Sequence, residues 1–505
     1  MTHLGVPSTA PTAPPPPRDT SGIPGWVLVV ATLVALAMTG ALFYAVVGGS
    51  GGSTPAAAAK HPRHFPTHWD PRIAPYARIA ARERGLQFTH PVPVRFLSPA
   101  AFAKSVKSED QRTTNSDRRE MEQATGLLRA FGLLSGDVDL AHAFDDFSGS
   151  AVLAYYSLDE KRITVRGHRI TPSVKATLVH ELTHVLQDQH FHISHRMNAL
   201  EKQGEKGPST SEAEVLRAVI EGDADRIENL YRASLKPAQV RALDAAQQDE
   251  FDQAQPALSQ IPKIVVTMLT SPYALGEGLT QAAAADGGNS AVDRLLRRTP
   301  THDAVLLDPM DAVIGHLRAV HIPTPALQPG EKEFDSGELG AVTWYLMLAA
   351  RLTPQSALTA ADGWGGDAFV GYRSQGRTCA RMTFAGRTAA DTTAMTGALQ
   401  QWVAAGSSST AHVSTLGGRV SLESCDPGTG VRSGNDDSDA AIDVVTVRTS
   451  LAIGLVRGGL PDSTADCMAD RMVQAFSVTS LVDPSFGAND PAIAASLQQI
   501  ALACR

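Results

Sequence analysis

No run rich in lysine or arginine occurs anywhere in the 505 residues, and the formal net charge is −8. Both facts argue against a nucleic-acid binder that works through phosphate charge. Cysteine is scarce: Cys379, Cys425, Cys467 and Cys504 stand late in the chain, none in a C-x-x-C pair. That pattern points to two disulfides rather than a cysteine metal site. Proximity would join Cys379 to Cys425 and Cys467 to Cys504, with two other connectivities open. No period marks a repeat protein. With 43% hydrophobic and 19% charged residues, the chain is long enough for two or more ordinary cores.

Charge is also missing from "WVLVVATLVALAMTGALFYAVV", 22 residues between the ends Trp26 and Val47. At 1.5 Å per residue this run matches a hydrocarbon core of roughly 30 Å. Trp26 and Tyr44 lie near its ends, where amphipathic rings favour the interface. The run is longer than a signal peptide's apolar region, so an uncleaved anchor is expected. Paired cysteines then place the large C-terminal part outside the cytoplasm. The expected protein is single-pass in the cell membrane, N-terminus cytoplasmic and catalytic domain extracytoplasmic. Its expected segments are a disordered Pro-rich tail (1–24), the anchor (25–48), a linker (49–65), a metallopeptidase-like domain (66–355) and a disulfide-containing α/β domain (356–505).

Past the linker, "VPVRFL" reads as a strand, helices follow over 99–106 and 118–134, and residues 151–167 read as a hairpin. Next comes "TPSVKATLVHELTHVLQDQHF", helical by the spacing of Val174, Leu178, Leu182, Val185 and Leu186. A longer helix over 212–235 opens on the capping box Ser211-x-x-Glu214. From Phe369 the texture turns to short β-type runs, and a helical tail holds Cys467 and Cys504. The class expected is α+β, predominantly helical.

His180, Glu181 and His184 spell H-E-x-x-H. Four helical residues advance about 400°, so both imidazoles share a face one turn apart. That spacing suits two nitrogen ligands of one zinc ion, with Glu181 beside the open position as general base. A third ligand is required. His190 stands at the metzincin offset, but Gln187 replaces the glycine that would turn the chain back, and a continuing helix carries His190 about 240° round. Glu221 in "AVIEGDADRIENLY", thirty-seven residues past His184, is the gluzincin-type alternative. Gly222 beside it costs about 1 kcal/mol in a helix, and close approach to the metal helix would justify it. Asp225, one turn on, could fix a ligand imidazole's tautomer. Asp223 falls near the centre of the stripe formed by Val215, Val219, Ile220, Ile227 and Leu230, so it needs a partner and could itself be the ligand.

"VHELTHVLQDQHF" followed by "IEGDA" resembles a family of bacterial neutral zinc metallopeptidases of gluzincin type. The agreement runs from about Pro91 to the C-terminus and takes in "SPYALGEGLTQAAAADGG", "GELGAVTWYLMLAARL" and "GWGGDAFVGYR". The resemblance implies a zincin-like fold and one zinc held by His180, His184 and Glu221, with Glu181 as base. His192 departs from the Asp expected there.

Tyr273 is the candidate oxyanion donor, with His302 as an alternative proton donor, while His192 and His195 read as solvated residues past the helix end. If residues 162–166 form a free sheet edge, an extended substrate would add to it. The expected function is zinc-dependent endopeptidase hydrolysis of a peptide or protein substrate. The alternative is a zinc-stabilised cell-envelope binding protein that cleaves nothing.

Overall fold

The structure, a computed structural model, describes residues 64–107, 115–204, 210–315, 317–406, 410–432, 434, 437–483, 485–486 and 490–505. The first half runs α1 (Ala74–Arg84), β1 (Val94–Leu97), α2 (Pro99–Lys107), α3 (Asn115–Ala130), α4 (Leu140–Ala151), β2 (Ala154–Ser157) and β3 (Arg162–Arg166). Long helices follow: α5 (Pro172–Phe191), α6 (Ile193–Gly204), α7 (Glu212–Ala233), α8 (Pro237–Leu258) and α9 (Lys263–Arg297). α9 breaks where Gly287 and Gly288 leave helical geometry. Then come α10 (Ala304–Leu307), α11 (Pro309–Ile314), β4 (Lys332–Gly337), α12 (Ala341–Ala349), α13 (Pro354–Ala361), β5 (Trp364–Ser374) and β6 (Arg377–Gly386). The chain closes with α14 (Ala389–Ala405), β7 (Ala411–Leu416), β8 (Arg419–Cys425), α15 (Ser438–Arg457), α16 (Asp462–Ala475), α17 (Val478–Leu481) and α18 (Pro491–Ala503).

The α+β class stands, with two sheets and two disulfides, Cys379–Cys425 and Cys467–Cys504. Cys379 faces Cys425 directly across the β6–β8 ladder. The membrane expectation is corrected. No helix among the described residues is long and apolar enough to cross a membrane. A span needs about 20 apolar residues. α5, with 20 residues, carries His180, Glu181, His184 and Asp188, and the apolar α12 has only nine. The run ending at Trp26 and Val47, with residues 1–24 and the linker to 63, lies outside the described residues. The single-pass placement and the sidedness built on it are withdrawn.

Two packed cores frame the rest. The smaller joins α1, the three-stranded sheet and α5, through Ala77, Tyr156, Ile163, Val165, Leu178, Leu182 and Leu186. The larger runs from Leu97 to Ile500 and takes residues from both sides of position 355. α7 feeds both, with Val215, Val219 and Ile220 in the larger and Ile227 and Tyr231 in the smaller. Leu230, counted in the same stripe, is exposed. The segment from Glu221 to Asp225 therefore lies at the seam between the cores.

The first sheet has the order β1-β3-β2. β3 is its centre, parallel to β1 and antiparallel to β2, so the expectation of a free edge at Arg162–Arg166 is corrected. The edge near α5 is β2, whose Tyr156 amide donates to Glu181. The second sheet, β4-β5-β6-β8-β7, is antiparallel throughout and starts earlier than Phe369, at Lys332.

Candidate metal centre

Thr171 caps α5 by accepting from the Val174 amide, and Pro172 opens its first turn. Sixteen of its twenty residues are buried, including His180, Glu181, Thr183, His184, Gln187 and Asp188. Burying so many polar groups is costly unless each finds a partner. Those partners come mainly from α7. Its approach depends on Gly222, where a Cβ would lie 2.0 Å from the Gly276 carbonyl carbon of α9. The expected reason for Gly222 is thus corrected: the close contact is with α9, not with the metal helix.

Glu221 Oε2 lies 3.4 Å from His180 Nε2 and 3.2 Å from His184 Nε2. His180 Nε2 and Glu221 Oε2 are buried without a hydrogen-bond partner. The far nitrogens explain why. His180 Nδ1 stands 3.0 Å from Asp225 Oδ1, with Glu228 Oε2 at 3.7 Å. His184 Nδ1 is 2.9 Å from Gln187 Oε1, and the Gln187 amide nitrogen donates to the Ile220 carbonyl (2.9 Å) and Asp223 Oδ2 (3.0 Å). Those two acceptors fix the amide's orientation. Each ring is thereby held by an outer acceptor at Nδ1 and directs Nε2 at the same carboxylate oxygen.

Positive charge must lie among these three atoms, either as protons on the imidazoles or as a metal ion. Ligands 2.0–2.1 Å from a tetrahedral zinc stand about 3.3 Å apart, close to both separations seen here. His180, His184 and Glu221 fit a divalent metal by donor type and spacing. A second group, His180 with Asp225 and Glu228, shares one imidazole with it.

Glu181 is fully buried, and its Oε2 accepts the Tyr156 amide at 2.7 Å while Oε1 has no partner. Burial pushes its carboxyl to about 7, against the pull of His184 and His180. Glu221 is held at about 2, because the imidazoles outweigh burial. Burial alone would lower His180, but Asp225 and Glu221 lift it well above the usual imidazole range. Glu221 likewise raises His184. The Tyr273 ring stacks on His180, centroids 6.3 Å apart, and burial plus the Glu221, Asp225 and Glu181 carboxylates keep its phenol protonated.

Other expected site residues lie elsewhere. Asp223 points away from the imidazoles, taking Arg84 Nε (2.7 Å) and Arg226 Nη2 (2.8 Å). It touches the centre only through Gln187. His190 binds the Gln87 carbonyl at 2.7 Å, and His192 caps α5 in the left-handed region. His195 is exposed, and His302 pairs with Glu338 at 2.8 Å. Gln187 and Glu228 are site residues that sequence reasoning misses. Gln187's signal is its position one turn past His184, which in the sequence reads only as a missing glycine.

A family model described as a domain of unknown function (DUF8575) matches residues 328–445. That stretch holds the five-stranded sheet and none of the residues of the metal centre. No curated protein and no solved structure matches the chain.

Proposed function

We infer that this protein is a zinc-dependent peptidase, cutting peptide bonds with a water activated beside Glu181. The observation that carries the reading is the convergence of His180 Nε2 and His184 Nε2 on Glu221 Oε2, 3.4 and 3.2 Å away, with the unpartnered Glu181 Oε1 alongside. The resemblance of "VHELTHVLQDQHF" and "IEGDA" to bacterial neutral zinc metallopeptidases supports it. His180, His184 and Glu221 would hold the ion, with Asp225 and Gln187 fixing the two imidazoles. Zinc bound there supplies Lewis acidity, polarising the scissile carbonyl and acidifying a water. Glu181 accepts the water's proton at Oε1 and delivers it to the leaving amine, while the Tyr156 amide holds Oε2 in place. Tyr273 donates to the oxyanion.

Glu181→Gln tests the mechanism in the full chain. Hydrolysis of a mixed peptide library should fall by about 10²–10⁴ with bound zinc retained. Hydrolysis that survives in the folded variant defeats the mechanism. Zinc without turnover in the unaltered chain would favour a metal-stabilised binding protein.

A further inference from the structure

A cavity partly open to solvent lies where the N-terminal end of α7 meets α3 and β4. Part of its wall is apolar: Leu127, Leu128, Phe131 and Phe369. Four carboxyls complete the lining, Glu214, Asp303, Asp335 and Glu338, and no lysine or arginine is among the lining residues.

Two of the four are satisfied. Asp303 accepts the Ala341 and Val342 amides at the start of α12, at 2.7 and 3.2 Å. Glu338 takes the Ser211 hydroxyl on one oxygen and His302 Nδ1 on the other. Ser211 also accepts the Asp303 amide, so it makes no cap to α7 and the expected Ser211/Glu214 capping box does not form. Glu214 is freed by this to face the cavity. Its Oε2 and Asp335 Oδ2 are buried with no partner, and the Asp335 residue is only 7% exposed. Burial lifts both carboxyls to about 7, against a backbone hydrogen bond at each and the pull of Arg217 on Glu214.

The two orphan oxygens call for a donor or a cation in the cavity. Among the described residues, three metal-ligand atoms come within 4.8 Å of one another only at the metal centre, not here. Carboxyls beside an apolar wall, with no cluster of three ligand atoms, suit a cation with a hydrocarbon body. Glu214 stands seven residues before Glu221 on the same face of α7, about 10 Å along the axis.

We propose that this cavity binds a protonated primary amine on an apolar stem, the ammonium against Glu214 and Asp335 and the stem against Leu127, Leu128 and Phe131. The assignment holds whether or not the metal centre hydrolyses peptides. A lysine side chain of a peptide and a free alkylamine share this chemistry, and N-acetyl-lysine amide and pentylamine separate them. Calorimetric titration of the full chain should show one site for at least one of the two, and none for 1-pentanol or calcium. The tighter of the two names the source. Asp335→Asn and Glu214→Gln should each weaken binding at least tenfold while the chain stays folded by circular dichroism; two variants guard against one failing to fold. Absence of amine binding, equal binding of 1-pentanol, preferential binding of calcium, or amine binding untouched in both variants would overturn the proposal.

Discussion

Gln187 shows how one side chain can tie a candidate metal ligand to the fold. Its amide oxygen takes the proton-bearing face of His184, while its nitrogen is anchored on the Ile220 carbonyl and on Asp223. Asp223 is locked in turn by Arg84 from α1 and Arg226 from α7. Gln187→Leu removes the acceptor for His184 Nδ1, so the ring is free to rotate or change tautomer. Zinc affinity, read by competition with a chromogenic chelator, should drop about 10–100-fold; an unchanged affinity would deny Gln187 that role. At this scale the sequence was partly legible. The spacing of His180 and His184 announces two ligands on one helix face, because helix geometry alone sets it. Choosing between Glu221 and Asp223 needs the angle at which a second helix arrives. Glu228 could not be recognised, since its role exists only across the α5–α7 contact, and Gln187 reads in the sequence only as a missing glycine.

Among the elements, α7 and α9 meet at backbone distance. A Cβ at Gly276 would lie 1.9 Å from the Ala218 carbonyl oxygen, the counterpart of the Gly222 contact. Gly222→Ala should therefore force α7 outward, by the seam that carries Glu221. Overpacking costs about 1–3 kcal/mol, more than the roughly 1 kcal/mol a helix gains from Ala over Gly. Thermal unfolding should fall for Gly222→Ala. Gly454→Ala, in α15 where an added Cβ would meet open space, should be neutral or stabilising. Equal effects in the two variants would refute the contact. A glycine in a helix signals close approach but not which helix approaches, which is why α5 was the wrong partner to expect. The β3 edge was misjudged for a related reason. The hairpin is local and legible, whereas β1 joins β3 from far upstream and turns it into the central strand.

For the whole molecule, the candidate metal centre sits where two cores meet, and a bound ion would bridge them. Without metal, carboxylates raise His180 and His184 above their ordinary imidazole values. Stability linked to those protons is complete below the unfolded imidazole value of about 6.5 and is lost as pH rises through the raised folded values. Zinc needs both imidazoles neutral, so its affinity grows over the same interval. The gap in melting temperature between zinc-loaded and metal-free protein should widen from pH 6 to pH 8; a gap that is constant or shrinks would oppose the assignment. The α+β class and the late disulfides could be read from pattern and cysteine spacing. The seam could not, because it depends on packing between segments more than a hundred residues apart.

Metal content of the full chain, measured by mass spectrometry after exhaustive dialysis, tests the centre most directly. One zinc per chain is expected, lost in Glu221→Ala and kept in His190→Ala. Zinc retained without Glu221, or lost without His190, would contradict the assigned ligand set.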